Sequence, residues 1–209
     1  MNLQRWEQLG STVELPPSAP ERLLAELDVP SSASTVAVFG PTPDFFALPL
    51  AARIGSHGTV YSVELSDEVS PRPSQRSIPG HTRIRHKENG RLPLPDESVD
   101  LALWAFAFRT LGHVGSMLEE TRRILRPGGR LAVVDWIRQE ESFGPLRDDR
   151  VSAAMCERCL AAGGFGLVGP QRDLNGSHYL IVGRRPMGSA GTGWESFSVT
   201  IRPGHPRGM

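Results

Sequence analysis

The chain has 209 residues, enough for one sizeable core in one domain, and its 23 basic side chains balance its 23 acidic ones. That balance speaks against a broad electrostatic attraction to nucleic acid or acidic membrane, so neither is expected as a partner. The longest unbroken apolar run, Leu101 to Phe108, falls far short of the ~18–20 residues of a membrane span; Arg5, Trp6 and Glu7 leave no room for the apolar core of a secretory signal; and two cysteines make no disulfide framework. A cytoplasmic protein is expected.

Residues 1–17 show weak periodicity and read as an irregular lead-in. Ser18-Ala-Pro-Glu21 fits a capping box, and Leu23, Leu24 and Leu27 give the following short helix one apolar face. Val36, Val38 and Phe39 predict a first buried strand, and Asp44 caps a helix carrying Phe46, Leu50, Ala51 and Ile54, with Pro49 costing it one hydrogen bond. A second strand is expected over 59–65, a Pro-rich crossover with little helix over 66–81, and a weaker third strand over 82–86.

Residues 99–106 read as a strand buried on both faces. Val114, Met117, Leu118, Thr121, Ile124 and Leu125 recur at helical spacing, Ser116 and Glu119 offer a capping box, and Arg126-Pro-Gly-Gly129 ends that helix before a fifth strand over 130–137. A helix over 150–162 and two strands over 165–172 and 177–184, joined at Asn175-Gly176, complete the pattern. Residues 187–209 are rich in Gly, Pro and Ser and read as a flexible tail, although Phe197, Val199 and Ile201 alternate as in an edge strand. Strands alternating with helices predict an α/β three-layer sandwich with a mainly parallel sheet, in one domain over 18–186.

Several words in this order carry a resemblance: Phe46-Ala-Leu-Pro-Leu-Ala51, Gly58-Thr-Val-Tyr-Ser-Val-Glu64, Leu92-Pro-Leu-Pro-Asp-Glu-Ser-Val-Asp100, and above all Ile124-Leu-Arg-Pro-Gly-Gly-Arg-Leu-Ala-Val-Val-Asp-Trp136. Phe143-Gly-Pro145, Arg150-Val-Ser152 and Ala162-Gly-Gly-Phe165 add to it. Together they resemble the class I S-adenosylmethionine-dependent methyltransferases, in particular the small-molecule enzymes of ubiquinone/menaquinone-biosynthesis type. The resemblance implies a Rossmann-like, seven-stranded, mainly parallel sheet of order 3-2-1-4-5-7-6 with an antiparallel last strand. It also implies S-adenosylmethionine as cofactor and an unidentified small molecule as methyl acceptor; a homodimer is compatible with it.

In that family an acid and a Gly-x-Gly-x-Gly loop follow the first strand. Here Val38 replaces the acid, Gly40 keeps the first glycine, and Thr42 and Asp44 stand for the other two, while Pro41 and Pro43 each remove an N–H donor. An ionised Asp44 close to the ligand carboxylate would repel it. The resemblance implies cofactor contacts from Gly40, Thr42, Glu64 (ribose hydroxyls), Glu88 and Asn89 (adenine), and Ala105 and Phe106 beside the ligand. Each has a plainer role beside it: tight turn, strand-end acid, solvated loop charge, core packing.

Phe106 and Phe108 are both pocket-wall candidates, with core packing expected of one. His113 is a weak catalytic candidate, since imidazole suits a general base at neutral pH, and otherwise a surface residue at a helix start. Asp135 and Trp136 either line the acceptor side or close their strand. Cys156 and Cys159 share one helix face, and with no further ligands in reach no metal site is expected. The alternative to a methyltransferase is a non-catalytic protein of the same fold, which lost the cofactor through its 41–44 loop. A nicotinamide-binding oxidoreductase is disfavoured because Gly-x-Gly-x-x-Gly is missing after the first strand.

Overall fold

A computed structural model of the chain describes residues 19–27, 29, 34–41, 43–65, 80–85, 91–108, 111, 113–140 and 144–188. The lead-in, Ser18 of the first capping box, Thr42, the 66–79 crossover, Glu88, Asn89, Phe143 and the alternating residues of the tail lie outside these.

The elements follow in the order α1 (Ala19–Glu26), β1 (Thr35–Gly40), α2 (Asp44–Ile54), β2 (Thr59–Glu64), β3 (His81–Arg85), β4 (Val99–Ala105), α3 (Val114–Ile124), β5 (Leu125–Trp136), a single 3-10 turn at Arg147–Asp149, α4 (Ala153–Ala162), β6 (Gly166–Leu167), β7 (Arg172–Asp173) and β8 (His178–Arg184). They form one sheet of order β3-β2-β1-β4-β5-β8-β6, with β7 also paired to β8. The strands β1 to β5 run parallel and β8 runs antiparallel to β5.

Alternation along β1 assigns its side chains to two separate cores. Val36 and Val38 pack with Leu23, Leu27, Leu50 and Ile54 under α1 and α2. Ala37 and Phe39 pack with Trp104, Leu118, Cys156 and Leu160 under α3 and α4. Two buried faces explain why the strand reads as an unbroken apolar run.

Four expectations are corrected. Asp44 does not cap α2; Pro43 holds that position, and its carbonyl accepts from the N–H groups of Phe46 and Ala47 at 3.1 and 2.9 Å. Nor does Ser116 cap α3, which starts at Val114 with His113 before it.

The third concerns Arg126-Pro-Gly-Gly129, which forms no turn between helix and strand. The strand β5 begins at Leu125, opposite Val99, and the next register pair is Leu101 with Arg130, so these residues make a bulge inside it. Gly128 has φ +78°, which favours glycine, and a side chain on Gly129 would crowd the Arg126 carbonyl at 2.8 Å.

The predicted strand over 165–172 is broken into β6 and β7 around Gly169 (φ +71°) and Pro170, which has no N–H to give to β8. Its hairpin turn stands as expected: Gly176 has φ +80° and Leu174 N–H donates to the His178 carbonyl at 2.9 Å. The link before β4 is pinned by Arg123, which donates to the carbonyls of Leu92 and Leu94 at 3.1 and 2.8 Å and to both oxygens of Glu120. Glu120 in turn accepts from the Leu92 N–H at 3.0 Å. Partial burial, the largest single influence, would raise the Glu120 pKa, but the hydrogen bonds from Arg123 and the Leu92 N–H and the charges of Arg123 and Arg91 together outweigh it and hold the carboxyl below its ordinary value.

Candidate functional site

The strand order reverses beside β1, with β2 on one side and β4 on the other. In an open parallel sheet that is where a crevice opens at the carboxyl edge. Gly40 ends β1 there, opposite Glu64 at the end of β2, and its carbonyl accepts from the Leu65 N–H at 3.3 Å. On the other flank the β1 backbone comes so close to β4 that a Cβ on Gly40 would lie within 3.0 Å of the Ala105 carbonyl oxygen. Gly40 is therefore required by close approach, since its backbone needs no left-handed angle. Gly40, Glu64 and Ala105 thus meet at one edge.

Phe106 follows with φ +56°, strained for a non-glycine residue, and its N–H donates to the Val134 carbonyl at 2.9 Å. Its ring packs near Phe46 (6.3 Å between centroids), Trp136 (5.9 Å) and His178 (5.4 Å). Phe108 turns to the opposite core, edge-on to Trp104 at 5.6 Å. Both phenylalanines are buried, Phe106 in the core under α1 and α2 at the carboxyl end of β4 and Phe108 in the core under α3 and α4.

The aromatic set has a polar underside. Trp136 lies 4.3 Å from the His178 ring, and the buried Arg150 guanidinium stacks over Trp136 at 4.9 Å. Arg150 also donates to the carbonyls of Pro145 and Ile137. The Asn175 Oδ1 accepts from the backbone N–H groups of Ser177 and His178, which fixes it as an oxygen, and it lies 2.9 Å from His178 Nδ1. Nδ1 therefore carries the proton in the neutral ring, leaving Nε2 as the basic nitrogen. Asp135 is buried and accepts from the Trp136 N–H at 2.8 Å. His113 is exposed at the start of α3.

Asp44 turns its carboxylate onto His81: Oδ1 lies 3.5 Å from Nε2, which is also 2.7 Å from Ser62 Oγ. This is no nucleophile triad, because acid and hydroxyl share one ring nitrogen where a triad uses both.

Cys156 and Cys159 are fully buried in the α3/α4 core. Burial, and secondarily the charge of Asp135, pushes the Cys156 thiol well up, while burial pushes Cys159 up to about 11. Both stay protonated at neutral pH, unlike redox or metal-binding thiols. No cluster able to hold a metal ion occurs among the described residues.

His178 and His81 were missed from sequence. His178 shares strand parity with Leu180 and Val182, and that placement on a buried face was the available signal. Nothing in the sequence pointed to His81.

Residues 38–133 match the family described as a methyltransferase domain. Among curated proteins, the chain is 30% identical over 113 residues to a ubiquinone/menaquinone biosynthesis C-methyltransferase of Bordetella avium, covering 53% of this chain and 44% of that protein. It is 28% identical over 135 residues to a 2-phytyl-1,4-naphtoquinone methyltransferase of Trichormus variabilis, covering 61% of this chain and 59% of that one. It thus spans about half the length of these relatives. Among solved structures, a SAM-dependent methyltransferase from Aquifex aeolicus superposes with a TM-score of 0.72 at 25% identity, covering 81% of this chain and 93% of that one. No helix among the described residues is long and apolar enough to cross a membrane.

Proposed function

We propose that this chain, which has the class I methyltransferase fold and a methyltransferase domain over residues 38–133, transfers a methyl group from S-adenosylmethionine to a small molecule. The observation that carries the reading is the edge made by Gly40, Glu64 and Ala105 at the reversal of strand order, where β1 and β4 approach too closely for any side chain on Gly40. S-adenosylmethionine, when bound, supplies a methyl group on an electrophilic sulfonium.

The residues present fit that ligand. Glu64 offers acceptors for ribose hydroxyls, Gly40 and Ala105 offer backbone at close range, and Phe106 walls the far side. Glu88, Asn89 and Thr42 belong to the same proposed contact set by resemblance alone. Methyl transfer needs positioning above all, so the strained Phe106 backbone, fixed by Val134, contributes by holding its ring in one place. The aromatic set Phe46, Phe106, Trp136 and His178 suits a flat, largely apolar acceptor, in keeping with the quinone-related names of the relatives. If the acceptor must lose a proton, His178 Nε2 and His113 are the candidate bases.

A second reading, a non-catalytic protein of the same fold that has lost the cofactor, draws support from Pro43, which places a residue without an N–H at the head of α2. Thermal unfolding with S-adenosylmethionine tests both. Ligand at about 100 times its dissociation constant adds ~2.7 kcal/mol, which for a chain of this size raises the melting temperature by roughly 5–10 °C. A shift of that size supports the first reading and refutes the second; no shift at millimolar ligand refutes the first and is the result the second predicts. Glu64→Ala should remove most of the shift, and its failure to do so would overturn the ribose assignment.

A further inference from the structure

The 41–44 loop carries an acid where a carboxylate-bearing ligand would suffer repulsion, and the structure shows how that acid is handled. Asp44 opens α2 directly after the loop, on the same edge as Glu64. A helix N-terminus attracts anions, so an acid in its first turn competes with any ligand anion for that place. The Asp44 carboxylate, however, is turned inward. Its Oδ1 is shielded from solvent and 3.5 Å from His81 Nε2, and the His81 side chain is only 4% exposed. The ring is fixed from the other side by Ser62 Oγ at 2.7 Å, on the β2 face that also presents Glu64 one alternate position further on. Three elements, α2, β2 and β3, thus converge on one imidazole.

We infer that His81, oriented by Ser62, is a positioning residue for the cofactor site: it keeps the Asp44 carboxylate turned away from the loop, so that a ligand with its own carboxylate can bind beside α2. This rests on the cofactor reading above. It adds a residue of β3 that makes the glycine-poor loop workable. Replacing the imidazole that faces Asp44 lets its carboxylate turn toward the ligand, and two like charges then face each other. Only ligands with a carboxylate feel the change.

Two ligands and three variants test this. S-adenosylhomocysteine carries the carboxylate; methylthioadenosine keeps the nucleoside and lacks it. Titration calorimetry is run with both on the wild type and on His81→Gln, Asp44→Asn and the double variant, each checked for folding by circular dichroism. Wild type should bind both. His81→Gln should weaken S-adenosylhomocysteine roughly tenfold, the order expected for a unit charge ~8 Å away at an effective dielectric of ~30, and leave methylthioadenosine within about twofold. Adding Asp44→Asn should restore S-adenosylhomocysteine binding, and Asp44→Asn alone should bind it at least as tightly as wild type.

Equal weakening of both ligands by His81→Gln would make the histidine a mere packing residue and overturn the inference, as would no weakening at all. Failure of Asp44→Asn to rescue would also overturn it, and Asp44→Asn keeps the test open if His81→Gln does not fold. Wild type that binds neither ligand would overturn the cofactor reading itself, a result distinct from all the others.

Discussion

Replacing Gly40 by alanine probes the point on which the site depends. The added methyl would lie within 3.0 Å of the Ala105 carbonyl oxygen, a backbone atom that cannot rotate aside, so β1 and β4 must part or twist at their carboxyl ends. Overpacking of this kind costs ~1–3 kcal/mol, and the carbonyl leaves little slack, so about 2 kcal/mol is the working figure. For a domain near 200 residues each kcal/mol moves the melting temperature by ~2–4 °C, giving a fall of roughly 4–8 °C by scanning calorimetry. Gly188→Ala is the control, because a Cβ there meets nothing within 4 Å. The same parting of strands should weaken S-adenosylhomocysteine binding in Gly40→Ala. A variant melting within about 1 °C of wild type, with unchanged affinity, would refute the close-approach reasoning.

Arg123→Ala should destabilise by ~2–3 kcal/mol in urea with an unchanged slope, since it strips the Leu92 and Leu94 carbonyls and Glu120 of a charged donor; a loss under about 0.5 kcal/mol would show the link before β4 is held by other means. The two buried thiols predict alkaline weakening. Their folded pKa values lie above the ordinary 9.0, Cys159 at about 11, so between those values the folded chain holds protons that the unfolded chain has released. Stability from this source is complete below about pH 9 and declines as pH rises toward 11. Melting temperatures measured from neutral to alkaline pH under reducing conditions should fall less steeply in Cys156→Ala/Cys159→Ala. Some slope should persist from the buried Tyr179, whose phenol is also pushed up by burial, and an unaltered slope would contradict the thiol assignment.

The strands were legible because most of them are buried on both faces, and apolar runs such as 99–106 admit few other readings. Helix starts were less legible. Ser116–Glu119 has the residues of a capping box, but the apolar face of α3 already includes Val114, and burying that residue outweighed the cap. Pro127-Gly128-Gly129 looks like a turn in isolation; only pairing with β4 on one side and β8 on the other makes it a bulge.

The placement of Gly40, Glu64, Ala105 and Phe106 at the carboxyl edge was legible because each ends a strand or follows one directly, and strand ends are readable. The reason for Gly40 was not, since it lies in a carbonyl 65 residues further on. Asp44 was read as a helix cap, the local role open to an acid at that position; its partner His81 arrives from another strand, a contact that no local pattern encodes.

Hydrogen exchange with and without saturating S-adenosylhomocysteine tests most directly that the β1–β4 crevice is the cofactor seat. The expected result is slowed exchange in peptides covering residues 39–46, 63–65 and 104–107, where Gly40, Leu65 and Phe106 sit at the carboxyl edge, with 166–184 little changed. No slowing at millimolar ligand, or slowing confined to 166–184, would contradict it.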